Sequence, residues 1–167
     1  MLQKRRKLKI QTKNKSYDIQ DSIFYKLSSK KKLAKILFSE LSTLKALIGD
    51  DNYSCFTQVK NGKSRKIQAP LLALDRIHTR VASLICRIEP PAFLHSGIRG
   101  RSHISNAKCH IGIRKVVTVD IRSFFESTTR KSVFDFFYTT MSCSADVADL
   151  LSNLLTFNGY IPTGNRL

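Results

Sequence analysis

The chain has 167 residues and is 42% hydrophobic, enough to build a core in one domain, or in one domain plus an appendage. Its 29 Lys and Arg stand against 12 Asp and Glu, and the net charge of +17 points to a polyanion partner, nucleic acid before anionic membrane, while saying nothing about fold. No apolar run approaches the roughly 20 residues of a bilayer span, no secretory h-region follows the N-terminus, and Cys55, Cys86, Cys109 and Cys143 form no CxxC pair, which excludes a membrane span and fits a cytoplasmic protein with reduced thiols.

Residues 1–15 carry seven Lys or Arg and no acid, so self-repulsion predicts an extended basic tail, taken as residues 1–20. A helical segment, residues 21–52, follows. In it Leu33, Ile36, Leu37, Leu41, Leu44 and Ile48 recur at helical spacing and predict one amphipathic helix ended by Asp50 and Asp51. Two runs rich in β-formers then flank Asn61-Gly62, a strong hairpin signal. Lys60, Lys63, Arg65 and Lys66 make the tip and return strand basic, suited either to clamping a phosphate chain or to protecting an edge.

Leu74, Ile77, Val81, Leu84 and Ile88 predict a second amphipathic helix, a scaffold element ended by Pro90-Pro91. Gly97 and Gly100 beside Arg99 and Arg101 predict a loop able to hold phosphates or a template strand. The histidines and cysteine of that region, His95, His103, Cys109 and His110, match no common zinc spacing. A β-branched run, residues 116–121, predicts a buried strand. Beyond it, residues 129–141 predict a helix with Val133, Phe134 and Phe137 inward. A last helix from Ser144, carrying Val147, Leu150, Leu151, Leu154 and Leu155, is expected to stop at a C-cap formed by Asn158-Gly159.

Asp120 is the anomaly. A carboxylate at the end of a buried strand is costly unless it is paired, hydrogen-bonded or metal-bound. It reads either as a cap of the following turn or as a metal ligand. Phe124 and Phe125 read as core, Phe124 more so.

Four blocks carry a resemblance. "VVTVDIRSFFEST" resembles the first catalytic motif of reverse transcriptases, in particular the bacterial ones of retron, group II intron and phage-defence type. "GKSRKIQAP" resembles the fingers motif of that family. "LHSGIRGRSHISNAKCH" resembles its G-[FVI]-R-x-G-R-S-x-x-x-N-A-x-x-H block, and "GYIPTG" resembles the start of its L-P-[QT]-G motif, all in the family's order. The resemblance implies an α+β fold in which residues 53–167 form the fingers and partial palm of a right-hand polymerase, an antiparallel sheet with helices behind it. It implies an RNA-directed DNA polymerase working on an RNA template, a DNA primer or RNA/DNA duplex, and deoxynucleoside triphosphates.

On that resemblance Asp120 and the carbonyl of Ile121 are ligands of two Mg²⁺ ions, whose preference for oxygen ligands suits such a site. Lys63 and Arg65 contact the incoming triphosphate, and Phe125 is the gate against a 2′-hydroxyl. Pro162 and Gly164 shape the nucleotide loop, and Arg99, Arg101 and Asn106 lie along the template. Ile98 and Thr163 stand where the family commonly has Phe and Gln.

The sequence also departs from the family. No Tyr-x-Asp-Asp block occurs in the 167 residues, which predicts a chain truncated before the second catalytic motif and thumb, inactive alone and completed by a downstream fragment. The alternative is a nucleic-acid-binding module that catalyses nothing.

Overall fold

Helix periodicity organises the core. The computed structural model describes residues 8–60, 62–98 and 100–164, and for Lys60 and Lys63 the backbone alone. Helix α3 (Leu72–Ile85) buries Leu74, Ile77, Val81 and Leu84 but stops short of Ile88 and of the expected end at Pro90-Pro91, and α7 (Ala145–Leu155) buries Val147, Leu150, Leu151, Leu154 and Leu155, as their spacing predicted. The two are tied through His78, fully buried on α3, whose Nε2 lies 2.7 Å from the Leu154 carbonyl oxygen.

One helix expected between Leu33 and Ile48 is instead two, α1 (Lys30–Ile36) and α2 (Leu41–Ala46). The break falls at Phe38, whose φ of 55° is left-handed, so the chain turns and carries Leu44 and Leu47 into the same core as Leu33 and Leu37. Ser29 caps α1 by accepting from the Lys32 amide at 3.3 Å.

The expected hairpin forms. Strand β1 (Tyr53–Lys60) pairs antiparallel with β2 (Lys63–Pro70), from Tyr53↔Pro70 to Lys60↔Lys63, around a two-residue loop in which Gly62 has a φ of 72°. Among the described residues this is the whole sheet. Successive residues of β2 face opposite ways, so Arg65 and Lys66 do not share a face. Asn61 and the Lys60 and Lys63 side chains lie outside the described residues.

Between α3 and the C-terminal helices lie α4 (His103–Lys108) and α5 (Phe124–Ser127). Among the described residues, no side chain between Ile88 and Val133 belongs to the core. The strand expected at residues 116–121 is absent, and Val117 and Val119 are 87% and 90% exposed. A strand needs a hydrogen-bonding neighbour, and no described segment pairs with this one. The described residues make the expected α+β composition, helices with one antiparallel hairpin, and the strand expected at residues 116–121 does not join that sheet.

The helix expected over residues 129–141 is α6 (Arg130–Asp135) followed by a π-helical turn, Phe136–Thr140, with Val133 and Phe137 buried. Phe137 meets Phe24 edge-on at 5.9 Å. Asn158-Gly159 is not a C-cap of α7. Both residues have positive φ, 47° and 80°, and they turn a small hairpin in which Phe157 and Tyr160 exchange backbone bonds of 2.8 and 3.1 Å.

The basic N-terminal stretch is docked from Gln11 on. The Gln11 amide donates to the Ser83 hydroxyl at 3.0 Å, and Tyr17 bridges to Ile88. The free tail expected over residues 1–20 does not describe residues 11–20, because backbone groups there find partners on and just beyond α3; residues 1–7 lie outside the described residues.

Candidate functional site

The block containing Pro162 and Gly164 is built onto the β1–β2 hairpin. Gln68 on β2 is buried, and its side-chain oxygen accepts from the Thr163 amide at 3.2 Å. That bond fixes which end of the Gln68 amide faces the loop, since a backbone N–H needs an acceptor. The Thr163 hydroxyl lies 2.8 Å from both that oxygen and the Lys66 carbonyl oxygen, its single proton serving either. Pro162 is buried.

One residue earlier the loop joins a second element. The Ile161 amide donates to the Thr128 carbonyl at 2.9 Å, and the Arg130 amide donates to Gly159 at 2.7 Å. Thr128 closes α5, the short helix that holds Phe125. The Tyr160 phenol, pushed up in pKa by burial first and then by Glu126, Cys55 and Asp50, records the same convergence of α5, β1 and the 157–160 turn. Residues from three of the four sequence blocks thus meet through hydrogen bonds of side chain and backbone.

Phe125 is half-buried and stands edge-on to Phe124 at 5.5 Å. Phe124, expected in the core, is 53% exposed, because α5 sits outside the core cluster. Ser123 enters α5 with a φ of 50°, and the Ser127 hydroxyl donates to the Arg122 carbonyl at 2.7 Å, which fixes the turn beneath the two rings.

Asp120 is exposed in a stretch without regular secondary structure, not at the end of a buried strand. Among the described residues no group of three or more His, Cys, Asp or Glu side chains is placed to hold a metal ion. Two Mg²⁺ ions need several carboxylates, so Asp120 and the Ile121 carbonyl do not make that site by themselves. His95 reaches the Ser105 hydroxyl through Nδ1 at 2.9 Å and stands 3.7 Å from the Cys109 sulfur through Nε2. The four cysteines are free.

Arg101, expected on the template side, holds its own loop. Its Nη1 donates to the carbonyl oxygens of Pro91 and Leu94 at 2.7 and 2.6 Å, and this edge of the guanidinium is thereby occupied. Asn106 is exposed on α4, whose start is closed by a Ser102–Ser105 capping box. Arg65 is exposed on the hairpin. Arg99 lies outside the described residues, as does the Lys63 side chain.

The contact between Gln68 and Thr163 was not foreseen from the sequence. Their bond spans 95 positions, and neither residue type signals it locally.

No family model matches the chain. Among curated proteins it is 37% identical over 106 residues to the retron Se72 reverse transcriptase of Salmonella heidelberg (strain 579083-10), a match covering 63% of this chain and 28% of that protein. It is 24% identical over 138 residues to the retron Ec86 reverse transcriptase of Escherichia coli, covering 79% of this chain and 43% of that protein. The chain is thus similar to part of each of these two bacterial retron reverse transcriptases. The matched part covers less than half the length of either relative. Among the described residues, no helix is long and apolar enough to cross a membrane.

Proposed function

We propose that the chain supplies the fingers and the first catalytic motif of a retron-type RNA-directed DNA polymerase. The observation that carries the reading is the junction of Gln68 with Thr163: it joins the fingers-like block to the nucleotide-loop block, 95 residues apart, as a shared nucleotide site requires. The partial matches to two retron reverse transcriptases support the same assignment.

In this reading Lys63 and Arg65 bind the incoming triphosphate, for which a guanidinium fork and an ammonium are both suited. Phe125 presents its ring to the sugar, and Pro162 and Gly164 hold the loop beside it. Asp120, with the Ile121 carbonyl, contributes to a pair of Mg²⁺ ions whose other carboxylates come from outside the described residues. Arg99 and Asn106 meet the template, and Arg101 shapes the loop between them. RNA template, DNA primer and deoxynucleotides are the partners, in the cytoplasm. A second reading, a nucleic-acid-binding module without catalysis, is favoured by the lack of a metal-holding group among the described residues.

Primer extension on an RNA template decides between them. The 167-residue chain alone is expected to show no Mg²⁺-dependent synthesis, because charge stabilisation by positioned metals carries most of the rate in phosphoryl transfer. Adding a segment that contains a Tyr-x-Asp-Asp block, fused or in trans, should restore deoxynucleotide incorporation. Asp120→Ala should abolish the restored activity, and Phe125→Ala should admit ribonucleotides. Restored synthesis indifferent to Asp120 would overturn the catalytic assignment, and failure of every such segment to restore it would leave the binding module as the function.

A further inference from the structure

On the face of α3 away from the core, Arg76, Thr79, Arg80 and Ser83 follow one another at helical spacing, and Arg87 lies just past the helix end. With the N-terminal stretch laid across them they line a cleft of about 320 Å³ that also receives Lys9 and Lys13. Five cationic side chains line it and no Asp or Glu does. Arg87 is 9% exposed and Thr79 is 9% exposed, and among the described residues neither the Arg87 Nε nor the Thr79 hydroxyl has a hydrogen-bond partner. Buried donors left in this state carry a cost that an anion with several acceptor oxygens removes. Arg80 feels the same imbalance: burial, then the Arg87 charge, lowers its pKa.

The rim of the cleft is aromatic. Phe38 is 79% exposed, it is held in the left-handed region at a φ of 55°, and the Arg80 guanidinium stacks over its ring at 4.3 Å. A bulky residue in that conformation, presenting a large apolar ring to solvent, is a strained arrangement of the kind that marks binding positions. A ring beside a phosphate-sized basic cleft fits a polynucleotide, whose base stacks while its backbone lies among the cations.

We infer that this cleft binds a single-stranded polynucleotide, one phosphate seated between Arg76, Arg80 and Arg87 and the neighbouring base stacked on Phe38. The site is separate from the Gln68–Thr163 junction and does not depend on the polymerase reading.

The test is binding of fluorescein-labelled oligouridine and oligodeoxythymidine 12-mers to the full chain, followed by anisotropy, together with photocrosslinking of a 5-iodouridine-substituted strand. Phe38→Ala and Arg76→Ala both change exposed side chains, and thermal melts confirm that they fold. Phe38→Ala should weaken binding about five- to hundredfold. Arg76→Ala should weaken it and shallow the salt dependence by about one unit or less. Crosslinks should map to Phe38, and whichever 12-mer binds tighter identifies the strand as RNA or DNA. Binding unchanged by both substitutions, crosslinks elsewhere, or competition by inorganic phosphate as strong as by the 12-mer would each overturn the assignment. Tighter binding of a duplex that no longer responds to Phe38→Ala would overturn it too.

Discussion

Gly164 lies flat against β2: a methyl group added to its Cα would stand 2.8 Å from the Ala69 Cα, closer than real contacts allow, with the Gln68 carbonyl oxygen also in the way. Both obstacles are backbone of a paired strand, so neither swings aside. Gly164→Ala should therefore cost about 1–3 kcal/mol. The loss should be local, seen as faster hydrogen exchange at the Thr163 amide, whose acceptor is Gln68. Unchanged protection of that amide would refute the close approach.

Arg101 offers a second local test. Its bonds to the Pro91 and Leu94 carbonyls close the loop that precedes α4. Arg101→Ala should raise the open population of that loop roughly fivefold, from the loss of about 1 kcal/mol of partly exposed charged hydrogen bonding. Limited proteolysis between Pro91 and Ser102 reads this, and equal cleavage rates in the two proteins would refute it.

Alkaline pH should weaken the fold through Tyr53. Burial first, and Asp50 second, raise its phenol above the ordinary 10.0, and its hydroxyl donates to the Thr156 carbonyl at 3.4 Å. A raised folded pKa means that the unfolded chain loses this proton first, so it binds fewer protons than the native state above about pH 10. The stabilisation is present in full below that pH and is lost as pH rises toward the folded value. Chemical denaturation at pH 8 and at pH 10.5 should show this decline, and Tyr53→Phe should flatten it.

Asp120→Asn should leave stability within about 0.5 kcal/mol of the parent, because the carboxylate is exposed. A thermal melt without Mg²⁺ measures it. A clear drop would indicate that Asp120 holds the turn into α5, the capping role open to it from sequence.

Local patterns in the sequence were enough to predict α3, α7 and the β1–β2 hairpin: leucines at helical spacing, and Asn61-Gly62 between runs of β-formers. The break after α1 was not legible, since a Phe at φ 55° has no compositional signature and the apolar period continues through it. Residues 116–121 have every local mark of a strand and fail for want of a neighbour, which is a non-local property. The site divides the same way. Phe125 and Gly164 stand out by motif, whereas the Gln68–Thr163 bond needs the folded chain. The arginines at positions 76, 80 and 87 drew no reading from the sequence; what sets them apart is the N-terminal stretch and Phe38 brought alongside.

The exposed run at residues 116–121 bears on how the molecule behaves in concentrated solution. Val117 and Val119 stand exposed in a stretch without regular secondary structure, a segment of high β-propensity with one charge, Asp120. Identical copies of such a segment template one another into stacked intermolecular sheets. Arg114 and Lys115 before it and Arg122 after it act as gatekeepers, their like charges holding copies apart. Salt screens that repulsion, so the purified chain should form cross-β aggregates faster as ionic strength rises, and a charge placed at Val119 should keep it dispersed.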